Sequence, residues 1–391
     1  MSERSRNLPL ADRPLPRPHL PNTKRATVIG AGSFGTAVAV LLSRGGMRTT
    51  LQTRSPAQAR ELTEARENLT YLPGVELPPS LRIGTVADGL ARADFVFLAV
   101  PSRGLDEVIS GLPAAGLAPR ASLISLAKGL VPPTGQAPTI VLSHQFGVNR
   151  VAVIGGPAHA NEMVTAGAAL VAASEDEALA QSLAAVFAKA GVVCEISNDP
   201  VGVELAGAAK NAAALAAGAT EAQGLNAAGA AAGHIFAEAW RFAEQQGARP
   251  ESMIGLAGTG DLVATALAPQ SRNRRAGELL AAGVPGRDIP STIGQAVEAL
   301  ESVPLLATAL ERAGVDAPVT SGLARLISGE LPLDEWVALV RTTVPPPARW
   351  RQRVGGITAI ASDRQPGRLR RAFGGKGKGK GPRKRGPDTG H

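Results

Sequence analysis

The sequence predicts an α/β fold: an N-terminal Rossmann-like parallel-sheet domain followed by an all-helical C-terminal domain, with disordered basic tails. Two patterns predict this arrangement. From residue 26 to about 195, short β-branched apolar runs alternate with helical stretches, as in βαβ units that build a parallel sheet. From about 197 onward no comparable strand run occurs, and Ala, Leu and Gly dominate segments that are compatible with helices.

The same patterns set the boundaries of the parts. We expect a disordered N-terminal extension over 1–25, a dinucleotide-binding Rossmann domain over 26–196, and a helical substrate-binding domain over 197–345. The segment 346–391 is rich in Pro, Gly, Lys and Arg, and we expect a disordered tail there because it cannot bury a core. Five runs are predicted to form strands of the sheet: 26–29, 49–52, 95–100, 122–126 and 151–154.

The formal net charge of +8 belongs to the two tails and not to the folded body. Residues 364–391 carry a net +9 and residues 1–25 a net +4, which leaves −5 on residues 26–363. The basic tail is expected to contact anionic surfaces weakly, and no specific nucleic-acid partner is expected, because aromatic side chains do not alternate with the charges. A nucleic-acid or anionic-surface binding protein that acts through this tail stays open as an alternative of a different class.

The cysteine count and the apolar segments exclude other classes. One cysteine cannot form an internal disulfide, and five scattered histidines give no zinc-binding spacing, so no metal is expected. The most apolar segments, 206–219 and 226–243, are interrupted by Lys210 and Arg241, so no membrane insertion is expected. The basic N-terminus lacks the apolar run of a secretory signal, and the sequence predicts a soluble, cytoplasmic protein.

A glycine-rich motif follows the first predicted strand. Gly30, Gly32 and Gly35 have the G-x-G-x-x-G spacing and lead into a predicted helix over 36–43. We expect Gly30 to make the tight turn, Gly32 to let the backbone approach a pyrophosphate, and Gly35 to allow close helix packing. The free N–H groups at the helix N-terminus then face the phosphates. The motif therefore predicts a dinucleotide site.

The end of the second predicted strand indicates which dinucleotide binds. Arg54 follows this strand, and no Asp or Glu occurs between Thr49 and Arg60. An acidic residue at this place selects the 2′-hydroxyl of NAD, whereas an arginine accommodates the 2′-phosphate of NADP. The sequence therefore predicts that NADP(H) is preferred and that NAD(H) is also possible. An ordinary surface charge is the alternative role of Arg54.

Two lysines occur where acid–base chemistry is feasible. Lys210 lies in an otherwise apolar helix of small residues, and desolvation there lowers the pKa of an ammonium group. Lys128 follows a predicted strand, at the carboxyl edge of the sheet where open α/β folds bind ligands. For either lysine alone, a snorkelling or helix-end side chain is the alternative interpretation.

A third segment predicts an anion site. Ser271 is a favourable N-cap residue, and Arg272 and Asn273 fall in the first turn of the helix that follows. We expect a hydroxyl, a guanidinium, an amide and free backbone N–H groups to converge there, so the substrate should carry a phosphate. A capped helix with a solvated basic turn is the alternative.

Together these segments resemble the NAD(P)-dependent glycerol-3-phosphate dehydrogenases of the bacterial type, from about Ala26 to about Val344. The segments that carry the resemblance are GAGSFGTA (30–37), YLPGV (71–75), AVPS (99–102), LAKG (126–129), GPAHANE (156–162), VGVEL (201–205), KN (210–211), GLAGTGDL (255–262) and SRNRR (271–275). The last two are the most specific. The resemblance implies reversible reduction of dihydroxyacetone phosphate to sn-glycerol 3-phosphate, a phospholipid precursor, by a cytoplasmic homodimer.

The resemblance also implies roles for individual residues. Lys210 would be the catalytic proton donor and acceptor. The residues that it places at the substrate are Lys128, Gly156, Ala158, Lys210, Asp261, Ser271, Arg272 and Asn273. Those that match cofactor positions, together with the fingerprint glycines Gly30, Gly32 and Gly35, are Ser33, Phe34, Arg54, Lys128, Ala160, Arg272 and Glu298. A related 2-keto or 3-hydroxyacid reductase of the same two-domain layout stays open as a second enzyme, because a carboxylate could also occupy the segment 271–273.

Overall fold

The computed structural model describes residues 24–344, 351–354 and 357–360. The chain divides into two compact units, Met1–Thr343 and Val344–His391. Within the first unit the strands of the sheet precede the helical part along the chain, in the order that the sequence predicts. None of the described helices is both long and apolar enough to cross a membrane.

The first unit contains an eight-stranded sheet. Its strands, with one separate pair, are β1 (Arg25–Ile29), β2 (Arg48–Thr53), β3 (Glu67–Asn68), β4 (Leu72–Glu76), β5 (Arg82–Thr85), β6 (Phe95–Leu98), β7 (Ser122–Ser125), β8 (Val151–Gly155), β9 (Ala169–Ala173) and β10 (Val193–Ser197). The order in the sheet is β5-β2-β1-β6-β7-β8-β9-β10, while β3 and β4 pair antiparallel on their own. The five strands predicted from the sequence are confirmed as β1, β2, β6, β7 and β8.

The sheet is parallel from β5 to β8 and reversed at one end. There β9 pairs antiparallel with β8, so that Val153 stands opposite Ala173, and β10 runs parallel to β9. The connection from β8 to β9, residues 156–168, holds the six-residue helix α5. The predicted parallel sheet is thus confirmed for six strands and does not extend to β9 and β10.

Three strands of the sheet were not predicted from the sequence: β5, β9 and β10. In β9 three of the five residues are alanines, which have a low strand preference, and β5 contains Gly84. These segments become strands because they extend an existing sheet. The composition of β5 and β9 alone does not indicate a strand, whereas β10 contains Val193 and Ile196, which favour one.

Helices cover both faces of the sheet. They are α1 (Ser33–Arg44), α2 (Pro56–Ala65), α3 (Leu105–Gly111), α4 (Pro138–Phe146), α5 (Ala160–Thr165) and α6 (Glu177–Lys189). The central strand β6 supplies both layers of the core. Phe95 and Phe97 belong to the apolar cluster that includes α1 and α6, whereas Val96 and Leu98 belong to the cluster that includes α3 and α4. A strand that is buried on both faces explains the continuous apolar run FVFL.

The second half of the first unit is helical, as the sequence predicts. Its helices are α7 (Pro200–Thr220), α8 (Leu225–Gln245), α9 (Pro250–Ile254), α10 (Asp261–Leu267), α11 (Arg272–Ala281), α12 (Ile289–Ile293), α13 (Glu298–Arg312), α14 (Pro318–Ser328) and α15 (Leu333–Thr342). A π-helical turn, Leu256–Gly260, leads directly into α10. No strand occurs among the described residues between α7 and α15.

The long helix α7 is buried along almost its whole length and crosses α11 at very short distance. At Gly218 an added Cβ would lie 2.2 Å from the carbonyl oxygen of Arg274, and at Gly277 it would lie 2.1 Å from that of Leu215. Glycine is therefore required at both positions for the two backbones to touch. This contact fixes the start of α11, which carries the predicted anion site, relative to α7, which carries Lys210.

The second unit contributes one described element, an antiparallel pair of strands, β11 (Arg351–Val354) and β12 (Ile357–Ile360). Both strands lie within the segment 346–391, for which a disordered tail stays a prediction. The strand segments contain β-branched residues, which favour strands. The rest of this tail, and residues 1–23 of the expected N-terminal extension, lie outside the described residues.

Candidate active site

The glycine-rich turn lies between β1 and α1, at the point where the sheet order switches direction from β2 to β6. Gly30 has a φ of +111°, and an added Cβ would lie 2.4 Å from the carbonyl oxygen of Ala99, just after β6. At Gly35 an added Cβ would lie 2.1 Å from the carbonyl oxygen of Gly30, so the turn and the helix pack directly. An added Cβ at Gly32 would meet nothing within 4 Å. The turn therefore packs tightly against the protein at Gly30 and Gly35 and leaves free space at Gly32. This shape fits a pyrophosphate bound in the crevice where the strand order changes direction.

The other predicted cofactor residues border this turn and its neighbouring strands. Ser33 and Phe34 open α1, whose N-terminus lacks a side-chain cap and so leaves its N–H groups available. Arg54 is exposed and follows β2 directly. Ala160 is the first residue of α5, which follows the loop after β8. These positions fit a dinucleotide laid along the carboxyl edge of the sheet.

Two lysines converge on one buried carboxylate. Asp261 is the first residue of α10 and is 1% exposed. Its Oδ2 accepts a hydrogen bond of 2.8 Å from Nζ of Lys128, which also donates to the Gly156 carbonyl oxygen at 3.0 Å. Its Oδ1 lies 3.3 Å from Nζ of Lys210, which donates to Oγ1 of Thr265 at 3.2 Å. Side chains from the end of β7, from α7 and from α10 therefore meet at one point.

The electrostatics of this cluster shift two pKa values. The pKa of Lys210 is lowered to about 8, mainly by burial and also by the charge of Lys128, while Asp261 and Glu298 act in the opposite direction. Burial alone would raise the pKa of Asp261, but the positive charges of Lys128 and Lys210 outweigh it and hold this pKa below its usual range. At neutral pH the site therefore holds an ionised carboxylate and a lysine that can gain or lose a proton.

A chain of amide contacts joins this cluster to two further helices. The side chain of Asn211 donates to the Lys128 carbonyl oxygen at 2.9 Å and to Oε2 of Glu298 at 3.1 Å. Its oxygen accepts from Nδ2 of Asn273 at 2.8 Å, and the oxygen of Asn273 accepts from the backbone N–H of Ala299 at 3.2 Å. The starts of α11 and α13 are thus fixed relative to the lysines.

The predicted anion segment has the expected helix start, but its side chains point to different partners. Ser271 is the N-cap of α11, and its hydroxyl accepts from the backbone N–H of Arg274 at 3.4 Å. Arg272 is exposed and donates to the Ala296 carbonyl oxygen at 2.9 Å. Asn273 uses its amide for the internal contact with Asn211. Only the exposed guanidinium and the helix N-terminus are therefore placed where an anion could reach them, while the hydroxyl and the amide make internal contacts, so the predicted convergence of all these groups is not seen.

The loop after β8 closes the site from another side. Gly156 has a φ of +98° and presents its carbonyl oxygen to Lys128. Ala158 is buried, and His159 is half-buried. Burial lowers the pKa of His159, and the charges of Lys210, Asp261 and Lys128 all act on its ring. This loop therefore connects the part of the site at the sheet, which includes Lys128, with the helical part, which includes Lys210 and Asp261.

The fingerprint and the lysine cluster are also in direct contact. Nζ of Lys128 lies 5.5 Å from the centre of the Phe34 ring, a cation–π contact. Of the predicted residues, Lys128, Gly156, Lys210 and Asp261 form the centre of the site. Phe34 contacts Lys128 directly, and Glu298 and Asn273 reach this centre through Asn211. Arg54 lies at the end of β2, on the other side of β1 from β6.

Sequence reasoning missed two side chains of the site, Thr265 and Asn211. Thr265 is 4% exposed and bonds both Lys210 and Asp261. It lies one helical turn after Asp261, a spacing that places both on one face of α10. Asn211 follows Lys210 directly, and only the structure shows that it links four segments. As a whole, the arrangement can exchange a proton with a substrate oxygen beside the crevice in which a dinucleotide fits.

Comparisons with known proteins agree with this geometry. Two family models match, described as the N-terminus of NAD-dependent glycerol-3-phosphate dehydrogenase over residues 25–180 and its C-terminus over residues 199–338. A glycerol-3-phosphate dehydrogenase (NAD(P)+) of Deinococcus radiodurans is 39% identical over 307 residues, covering 78% of this chain and 90% of that protein. One of Methylibium petroleiphilum is 38% identical, covering 78% of this chain and 93% of that protein.

Solved structures give the same result at the level of the fold. The crystal structure of glycerol-3-phosphate dehydrogenase from Coxiella burnetii superposes with a TM-score of 0.77 at 28% identity, covering 82% of this chain and 99% of that chain. A ketopantoate reductase from Ralstonia eutropha superposes with a TM-score of 0.55 at 19% identity, covering 80% and 99%. The second likeness is one of fold alone.

Proposed function

The chain belongs to the NAD-dependent glycerol-3-phosphate dehydrogenase family, and from that premise we propose how its own residues carry out the reaction. It is an oxidoreductase that reduces dihydroxyacetone phosphate to glycerol 3-phosphate with NAD(P)H. A bound nicotinamide supplies the hydride; the chain must supply the proton, the orientation of the substrate and the exclusion of water. The observation that carries the proposal is the pairing of the buried Lys210 with Asp261 at 3.3 Å.

We propose that Lys210 donates the proton to the substrate oxygen in the reductive direction and accepts it in the oxidative direction. Its pKa of about 8 supports this role, because both protonation states are populated near neutral pH. Thr265 and Asp261 hold the ammonium group in place, so the proton is presented from a fixed direction.

Lys128 and Asp261 orient the reacting end of the substrate. Lys128 is 15% exposed in its side chain, whereas Asp261 is nearly closed off, so Lys128 can act together with Lys210 on the oxygen where negative charge develops. Asp261 supplies the negative charge that both lysines share, and so holds two ammonium groups close together in one buried place. Gly156 and Ala158 line the substrate from the loop after β8.

The phosphate of the substrate binds at the N-terminus of α11. Arg272 contributes the exposed guanidinium, and the first-turn N–H groups contribute the favourable end of the helix dipole. Ser271 and Asn273 shape this turn through their own internal contacts. A three-carbon phosphate would then span from this turn to the two lysines.

The dinucleotide binds along the glycine-rich turn and prefers NADP(H) over NAD(H). Gly30, Gly32 and Gly35 provide the turn, and Arg54 contacts the 2′-phosphate from the end of β2. The remaining residues proposed to line the cofactor are Ser33, Phe34, Lys128, Ala160, Arg272 and Glu298.

The resemblance supports three proposals about context. The enzyme works as a homodimer, it works in the cytoplasm, and its product supplies phospholipid synthesis.

The cofactor-binding part extends over 26–196 and the substrate-binding part over 197–345. This division falls at the end of β10, the last strand of the sheet, just before α7 starts at Pro200. The basic tail makes at most a weak contact with anionic surfaces.

Substrate competition tests the proposal. Oxidation of NADPH is followed with dihydroxyacetone phosphate and, separately, with small 2-keto acids. We expect turnover with the phosphorylated substrate and little with the acids, and preferential turnover of a 2-keto acid would favour the related reductase. A chain truncated after residue 344 should keep its turnover; loss of activity would favour a role of the basic tail.

A further inference from the structure

A second buried carboxylate lies on the helix that carries Lys210, outside the lysine cluster. Glu204 on α7 is 3% exposed. Both of its oxygens accept from the backbone N–H of Thr139, at 3.2 and 3.0 Å, and Oε2 also accepts from the Thr139 hydroxyl at 2.5 Å. Sixty-five positions separate the two residues, so this is a contact between distant parts of the chain.

The contact completes a helix start that the local sequence leaves open. Thr139 is the second residue of α4, whose N-cap is Ala137 and has no side-chain cap. Glu204 therefore supplies from α7 the acceptor that α4 lacks, and its negative charge is favourable at that helix terminus. The pKa of Glu204 is raised to about 7, because the effect of burial exceeds that of the hydrogen bonds from Thr139 and Ser125, which act in the opposite direction. The hydrogen bonds to Glu204 thus offset part of the free-energy cost of burying its carboxylate.

The same carboxyl group lies next to the strand that leads to Lys128. The Ser125 hydroxyl acts on Glu204 and lowers its pKa. Ser125 is the last residue of β7, and its Oγ accepts from the backbone N–H of Ala127 at 3.3 Å. Glu204 is thereby connected to the segment that ends in Lys128.

Farther along α7 a second contact holds the same segment. Asn211 donates to the Lys128 carbonyl oxygen at 2.9 Å. Between the two contacts lies Gly207, where an added Cβ would lie 3.8 Å from Cβ of Lys128. Positions 204, 207 and 211 have the i, i+3, i+7 spacing of one helix face. That face of α7 therefore contacts the Lys128 segment directly at Asn211 and Gly207, while Glu204 holds the same face to α4 and, through Ser125, to the end of β7.

We propose that Glu204 is a positioning residue for the reaction: it fixes α7 against the Lys128 segment and so sets the distance between Lys210 and Lys128. This inference rests on the proposed role of Lys210. Glu204 touches neither lysine and takes no part in the proton transfer. A small displacement of α7 would misplace Lys210 relative to the substrate, and such displacements cost about 10-fold to 100-fold in rate.

The chain offers a matched control in Glu238 on α8. This residue is 2% exposed and accepts from the backbone N–H of Val319 at 3.1 Å, from that of Thr320 at 2.8 Å and from the Thr320 hydroxyl at 2.5 Å. It caps α14 with the same chemistry with which Glu204 caps α4. Its contacts connect two helices of the helical part and none of the segments that carry the lysines.

The experiment compares Glu204→Gln with Glu238→Gln in the full chain, with thermal unfolding used to choose a temperature at which both are folded. We expect both to lower Tm, but only Glu204→Gln to lower kcat, by about 10-fold or more, with KM for NADPH changed by less than about threefold. Equal kcat values for Glu204→Gln and the native chain, or equal losses in both variants, would overturn the proposal. If Glu204→Gln does not fold, Thr139→Val removes only the hydroxyl contact; lowered kcat supports the proposal and native kcat overturns it.

A second readout does not depend on turnover. The pKa of Lys210 is measured by NMR of carbon-13-labelled lysine, with Lys210→Met used for the assignment. Since Lys128 lowers the pKa of Lys210, displacement of α7 in Glu204→Gln should raise that pKa above about 8, whereas Glu238→Gln should leave it unchanged. An unchanged pKa in Glu204→Gln would contradict the positioning role. Absence of turnover in the native chain would instead refute the proposed function, and this measurement would still test the role of Glu204.

Discussion

Lys210 and Asp261 face each other where α7 meets α10, with Nζ of the lysine 3.3 Å from Oδ1 of the carboxylate. The side chains are 8% and 2% exposed, so water screens the pair little. The other carboxylate oxygen is occupied by Lys128. One carboxylate therefore serves two lysines: it holds the ammonium group of Lys210 in place, while burial and the charge of Lys128 lower the pKa of that group to about 8.

The pH dependence of the two reaction directions should be opposite. Lys210, with a pKa of about 8, is needed protonated for reduction and neutral for oxidation. Reduction should therefore slow as the pH rises through about 8, and oxidation should accelerate. In Lys128→Met the midpoint should move to higher pH, since the charge of Lys128 lowers the pKa of Lys210. Initial rates of both directions, measured for both proteins from about pH 6 to about pH 10, check this prediction. Identical midpoints in the two proteins would contradict it.

Removing the shared carboxylate should destabilise the fold. Asp261→Asn leaves two ammonium groups without a buried counter-charge, which typically costs about 3 kcal/mol or more of the free energy of unfolding. Because the folded pKa of Asp261 is depressed, its contribution is present above its unfolded pKa of 3.8 and is lost as the pH falls through the folded value. Urea unfolding at several pH values should show the two proteins converging in acid. Asp316→Asn, at an exposed position, should change stability by less than about 0.5 kcal/mol.

The cofactor preference should depend on Arg54. Arg54→Ala removes the cation proposed to contact the 2′-phosphate, so KM for NADPH should rise by about 10-fold, the cost of one charge-assisted hydrogen bond, while KM for NADH should change little. Arg54→Asp should favour NADH further. Arg60→Ala, an exposed arginine on α2, is the control. An unchanged NADPH to NADH ratio in both Arg54 variants would remove the basis for the NADP preference.

The crossing of α7 and α11 should not tolerate a side chain. In Gly218→Ala the new Cβ would lie 2.2 Å from the Arg274 carbonyl oxygen, so the helices must separate, at a cost of about 1–3 kcal/mol. Gly233→Ala on α8 meets nothing within 4 Å and should stabilise the helix by up to about 1 kcal/mol. Thermal unfolding of both variants measures the difference. Equal Tm values would show that the crossing is not as tight as described.

Much of the site could be predicted from the sequence because its signals are local. The glycine spacing, the lysine in an apolar helix and the N-cap at Ser271 each depend on neighbours within a few positions, and the structure has the turn, the buried Lys210 and the helix start at these places. The same holds for β1, β2, β6, β7 and β8, whose β-branched runs are distinctive.

The rest depends on contacts between distant parts of the chain. The amide of Asn273 can turn outward to an anion or inward to Asn211, and the approach of Asn211 on α7 decides between them. The capping of α4 by Glu204 joins segments that no spacing rule connects. The antiparallel pairing of β9 with β8 is likewise a contact that no local pattern indicates.

The central claim, that Lys210 is the proton-exchanging group, is tested most directly by dihydroxyacetone phosphate-dependent oxidation of NADPH and NADH by Lys210→Met and the native chain. Lys189→Met, at an exposed position on α6, is the control, and fluorescence titration with NADPH shows that each variant still binds the cofactor. We predict that Lys210→Met loses about 10²-fold to 10⁴-fold in kcat with NADPH affinity retained, while the control keeps native turnover. Turnover by Lys210→Met within about threefold of the native chain would contradict the account.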